Sequence, residues 1–94
     1  MNKKFELTNI TMEYNGRILY RIKALKDFAD VKKGDLGGWV QYEENLSQQG
    51  NCWIYDDAKC MDNSRMHDNS CMHNYSKMYD YSEMHEYSKM YDYS

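Results

Sequence analysis

The sequence predicts an all-β protein, an N-terminal β-hairpin followed by a short left-handed parallel β-helix. Three observations carry that reading. The tail repeats with a strict period of six, as RMHDNS, CMHNYS, KMYDYS, EMHEYS and KMYDYS. An Asn15-Gly16 pair separates two alternating apolar runs near the N-terminus. The chain is polar, with a mean hydropathy of −1.00, yet 15% of it is aromatic and it holds ten tyrosines. Disordered chains are poor in aromatics, so this composition belongs to a folded domain.

The hairpin comes first. Phe5, Leu7, Met12 and Tyr14 alternate before the turn, and Ile18, Tyr20, Ile22 and Ala24 alternate after it. Asn-Gly between such runs is the strongest short hairpin signal, because both turn residues take positive φ. The hairpin is expected to cover the first coil and protect its open edge. Residues 25–35 connect, so residues 1–35 read as the cap and 36–94 as the solenoid of one compact domain. Ninety-four residues are too few for two independent cores.

The repeat has an inside and an outside. With methionine at position one, that position reads Ile54, Cys60, Met66, Met72, Met78, Met84 and Met90, and position five reads Ala58, Ser64, Ser70, Ser76, Ser82, Ser88 and Ser94. A large apolar residue then fills the interior while a small one fits where the chain turns a corner. Counting back by six puts Leu36 and Tyr42 at position one and Val40 and Leu46 at position five, with a failure at Gln48 near Gly50. Three hexapeptides make a coil of about eighteen residues, so residues that far apart stack at the strand spacing of roughly 4.8 Å. A helix is excluded because a period of six does not hold one face at 3.6 residues per turn. A pentapeptide solenoid fails the same count, and a low-complexity disordered tail is the remaining alternative.

Bulk properties narrow the function classes. The N-terminus is basic without the apolar run of a signal peptide, and no stretch is long enough for a membrane span, so a cytoplasmic protein is expected. Cys52, Cys60 and Cys71 form an odd set with no CxxC pair, which points to reduced thiols. Residues 1–53 carry eight basic and seven acidic residues, for +1; residues 54–94 carry four and eight, for −4. An acidic repeat half disfavours direct nucleic-acid binding and favours a basic protein partner.

The runs DFADVKKGDLGGWV (27–40) and NLSQQGNCWIYDDA (45–58) resemble the start of the YdcK-like proteins, a phage-associated hexapeptide-repeat family. The resemblance implies an N-terminal hairpin followed by hexapeptides. Downstream the chain departs from it, with Met, Tyr, Asp and Ser where that family uses Val, Gly, Asn and Ala. Members are commonly labelled acyltransferases on repeat similarity, a fold-level analogy. Hexapeptide acyltransferases usually act as trimers, with a catalytic histidine and an acyl-carrier cofactor held between solenoids.

Outward positions stack into ladders: Asp62–Asp80, Asp68–Glu86, Asp56–Asn74–Asp92, Tyr75–Tyr93, Tyr55–His73–Tyr91 and His67–His85. Stacked tyrosines stabilise a sheet or offer an aromatic contact surface. Like charges directly opposite are destabilising, so the acid columns read either as solubility residues or as a negative stripe for a basic groove. A calcium site lacks its mixed ligand set, and His67 with His85 lacks a third ligand, so no metal is expected. The inward methionines read as core. Cys52 and Cys60 are expected to be buried, and Cys71 to face outward between Trp53 and Lys89.

No nucleophile–base pair or phosphate-cradling loop is evident in the sequence, so no catalytic residue and no cofactor are expected. The leading expectation is a non-catalytic binding protein of phage origin. It would inhibit a host defence component, such as a nucleic-acid-guided CRISPR effector, through Asp62, Asp68, Asp80, Glu86, Asp92, Tyr75, Tyr81, Tyr87 and Tyr93. One alternative is a self-assembling solenoid that dimerises through its last coil, using Met84, Ser88, Met90, Tyr91, Tyr93 and Ser94. Another is a truncated relative of the hexapeptide acyltransferases.

Overall fold

Alternation from Phe5 onward builds β1 (Phe5–Tyr14) and β2 (Arg17–Ala24) as an antiparallel hairpin. Asn15 and Gly16 turn it with φ of 49° and 81°, the conformation an Asn-Gly turn favours. The computed structural model describes residues 3–81, 83–84 and 89–90, the last by its backbone alone. Residues of the expected sites that fall elsewhere are His85, Glu86, Tyr87, Ser88, Tyr91, Asp92, Tyr93, Ser94 and the Met90 side chain. No helix among the described residues is long and apolar enough to cross a membrane.

β3 (Leu36–Val40) runs antiparallel to β2 and parallel to β5 (Lys59–Cys60), which pairs in turn with β8 (Lys77–Met78). The hairpin therefore extends one wall of the solenoid as a continuous five-stranded sheet. A second wall stacks β4 (Trp53–Ile54), β7 (Cys71–Met72) and β10 (Lys89–Met90); a third pairs β6 (Arg65–Met66) with β9 (Glu83–Met84). Every strand from β4 on is two residues long, occupying positions six and one of its hexapeptide. Trp53 faces Cys71 and Lys59 faces Lys77, eighteen residues on.

Corners explain the rest of the hexapeptide. Position three is Asp56, Asp62, Asp68, Asn74 and Asp80, all with φ of 59–62°. Asp and Asn tolerate this left-handed region better than other side chains. The amide of position five then closes each turn on the carbonyl of position two, as from Ser64 to Met61 and from Ser70 to His67. The position-five hydroxyls of Ser64, Ser70 and Ser76 donate to the same carbonyls. A fully buried serine is thereby satisfied.

The core column is Val40, Leu46, Ile54, Cys60, Met66, Met72, Met78 and Met84, each at most 6% exposed. This corrects the register upstream of Ile54. Val40 pairs with Cys60 and Leu46 bridges to Met66, each twenty residues apart. Both occupy position one, not five. Leu36 and Tyr42, expected inside, are 51% and 50% exposed. The cause is a two-residue insertion between Leu46 and Ile54, which shifts any count made backward in sixes. Gly38 then falls at the small-residue position. A Cβ there would meet the Ala58 carbonyl oxygen at 2.5 Å and run into the Ile54 methyl group.

The solenoid begins under a plug. Phe5, Ile22, Ala24 and Val31 join the core column. Trp53 stands at a nominally outward position six yet is 2% exposed, because Phe5 and Phe28 close on it edge-on at 6.4 and 5.2 Å. Gln48, where the repeat fails, clasps the plug. Its Oε1 accepts from the amides of Lys4 (2.7 Å) and Phe5 (3.1 Å), and its Nε2 donates to the Phe5 carbonyl. A second cluster lies outside the wall, where the hairpin buries Leu19, Trp39 and Met61 against Met12 and Tyr14.

Candidate functional site

The described acidic residues of the expected stripe stand on two corners, and Asp56 lies on a further one. In chain order, Asp56, Asn74 and Tyr75 share the first, Asp62, Asp80 and Tyr81 the second, and Asp68 stands on the third. Much of their charge is engaged inside the fold. An Asp56 carboxylate oxygen accepts from the Asn74 amide at 3.0 Å, and an Asp62 oxygen from the Asp80 amide at 3.1 Å. In the first coil Gln41 fills this role, accepting from the Asp62 amide at 2.8 Å. Asp62 also receives the Arg17 guanidinium at 2.7 and 3.0 Å, and that pairing holds its carboxyl below the usual carboxylate range. Asp68 and Asp80 are exposed, as are Tyr75, Tyr79 and Tyr81 at 48%, 54% and 79%.

Concave surface lies beside Asp62, against Tyr42 and Asn45, and also between the third wall and the inserted loop. A one-turn 3₁₀ helix (Glu43–Asn45) and the loop 47–50 stand over β6. Two adjoining clefts result, of about 290 and 280 Å³. Glu43, Glu44, Leu46, Ser47, Gln48, Arg65 and His67 line the first; Ser47, Gln49, Gly50, His67 and Asp68 line the second. His67 belongs to both. Its Nε2 lies 3.7 Å from a Glu83 carboxylate oxygen, with both side chains partly exposed. Its backbone amide donates to Met84 at 2.8 Å, which fixes the origin of the side chain. Sequence reasoning placed His67 on the surface but missed the cleft, because an irregular loop carries no period.

A second cluster occupies the wall of β4 and β7. Cys71 at position six, in β7, and His73 at position two, just past it, flank the inward Met72, with Sγ and Nε2 3.2 Å apart. The imidazole lies flat on Tyr55, with ring centres 4.5 Å apart and planes inclined by 2°. Tyr55 in turn donates its hydroxyl to Asp30 at 2.6 Å. Burial and this hydrogen bond push the Tyr55 hydroxyl pKa well up. Burial also raises the Cys71 thiol, opposed by Lys89 and reinforced by Asp30. The sequence had shown no nucleophile–base pair; the structure brings these two groups within reach of one another.

The other thiols are interior, as expected. Cys60 is pushed up to about 12 by burial. Cys52 lies 3.3 Å from Nζ of Lys4, a fully buried lysine that donates to the Cys52 carbonyl at 2.7 Å. Burial lowers the Lys4 pKa. Among the described residues, no group of three His, Cys, Asp or Glu side chains is placed to hold a metal ion.

No family model matches the chain. A stretch of 39 residues is 54% identical to a protein described as "Uncharacterized acetyltransferase YdcK" from Escherichia coli (strain K12). That stretch is 42% of this chain and 12% of the other, so the likeness concerns one short section of a much longer protein.

Proposed function

We propose that the chain is a relative of the hexapeptide-repeat acetyltransferases, with His67 as the base of an acyl-transfer site. The observation that carries this reading is the position of His67, which lines two adjoining clefts beside Glu83. The likeness to a protein described as an acetyltransferase supports it. The chemistry follows from the geometry. Glu83 faces Nε2, which favours the N–H on that nitrogen and leaves Nδ1 to take a proton from an acceptor amine or hydroxyl. As charge develops on the ring, the carboxylate stabilises the imidazolium. Arg65, in the same cleft, supplies a cation for a phosphate or for the oxyanion of the intermediate. The donor is an acyl thioester that binds as a substrate.

The test is thiol release from acetyl-coenzyme A by the full chain, with a panel of small amines and alcohols. His67→Asn is expected to reduce turnover by about 10²-fold or more, the range of a general base, and Glu83→Gln by less. Release no faster than with heat-inactivated protein, across the panel, overturns the reading.

The exposed Tyr75, Tyr79 and Tyr81 favour a second reading, a protein-contact module for a basic-surfaced partner such as a nucleic-acid-guided effector. Under it, Tyr75→Ala with Tyr81→Ala releases a partner captured from host lysate while the fold is kept. Capture unaffected by both changes removes it.

A further inference from the structure

We propose that Cys71 is a modification site, a thiol that accepts an acyl group from small acyl thioesters with His73 as its built-in base. The argument rests on how the pair is held. Cys71 Sγ and His73 Nε2 are 3.2 Å apart, the spacing of a nucleophile and its base. The imidazole has little freedom to leave, because it is stacked on Tyr55, whose hydroxyl is anchored to Asp30 in the covering loop. A chain of four side chains from three segments thus aims one ring nitrogen at one sulfur. Cys71 is also the accessible thiol, since Cys52 and Cys60 are fully buried. Lys89, stacked over Cys71 in the next coil, places a cation where a thioester oxygen would gather charge.

The step balances without any change of oxidation state. The bond from Sγ to the acyl carbon forms as the donor's carbon–sulfur bond breaks. The Cys71 proton passes to His73 Nε2 and then to the departing thiolate, leaving a Cys71 thioester and a free thiol. Because the thiol is held protonated at rest, the base is needed for the attack. The proposal takes its donor class from the acyl-transfer reading but not its catalytic residue, so the two can fail separately.

The experiment incubates the full chain with acetyl-coenzyme A and follows intact mass, peptide mapping and sensitivity to hydroxylamine. One hydroxylamine-labile acetyl group is expected on Cys71, with Cys52 and Cys60 unmodified. His73→Phe keeps an aromatic ring on Tyr55 but removes the base, and is expected to slow acylation at least ~10-fold, the low end for a general base. His67→Asn is expected to leave the Cys71 rate unchanged, whatever it does to turnover on added acceptors. Absence of the adduct overturns the proposal, as does an adduct that forms equally fast in a folded His73→Phe variant.

Discussion

The aspartates at position three show how one residue type can be misread through its charge. As columns of like charge they look destabilising, which invites an external partner. Their backbone gives the better account. Each stands at φ near 60°, where most L-residues lose about 1–2 kcal/mol, and Asp56 and Asp62 each bind the amide one coil ahead. Asp62→Ala is therefore expected to lower the denaturation midpoint more than Asp62→Gly, by about 1–2 kcal/mol, since glycine restores the backbone freedom. Equal losses in chemical denaturation would assign the effect to the lost side chain alone. The pH dependence has a definite sign. Arg17 depresses the folded pKa of Asp62, so the stability from this pair is present above the unfolded value of about 3.9 and is lost as pH falls through the folded one. The Cys71–His73 pair was legible in principle from its i, i+2 spacing. The eighteen-residue repeat also placed Tyr55 beneath His73, and the two rings do stack; what no spacing shows is the Asp30 carboxylate that holds the Tyr55 hydroxyl.

Among the elements, the inserted loop shapes the molecule most. It displaces the first coil by two residues, moves Val40 and Leu46 into the core, and raises the lip of the clefts that His67 lines. It also presents Gln48, whose amide holds the first residues of β1. Gln48→Ala leaves the Lys4 and Phe5 amides without that acceptor. A loss of about 1–3 kcal/mol is expected, the range for stranding buried polar groups, with faster hydrogen exchange at Phe5 than at Tyr20. Unchanged exchange at Phe5 would show that other contacts hold the plug. The outer edge, β1, carries a register irregularity between Leu7 and Thr11, a usual way of spoiling an edge for pairing.

Across the whole molecule, stability is distributed unevenly along the solenoid axis. Both tryptophans, Trp39 and Trp53, are buried at the capped end, and each coil touches only its neighbours, so unfolding need not be all-or-none. Met84→Ala, at the far end of the described core, is expected to lower the far-ultraviolet circular dichroism midpoint while moving the tryptophan fluorescence midpoint less. Coincident transitions would show one cooperative unit. Apart from Met84, which is core, the side chains expected to carry association through the last coil lie outside the described residues, and that association stays an expectation.

By itself the sequence determined the all-β class, the hairpin at Asn15-Gly16, the inward column from Ile54 to Met84 and the burial of Cys52 and Cys60. Each of these depends on period, turn chemistry or hydrophobicity, which are local and repeat along the chain. Tertiary structure alone decided that Trp53 and Met61 are buried from outside, that Asp62 is claimed by Arg17, and that His67 meets Glu83 across a coil. Those pairings join residues whose sequence separation follows no single rule, because the insertion and the hairpin break the count. They are settled only when the coils close and bring distant side chains into one plane.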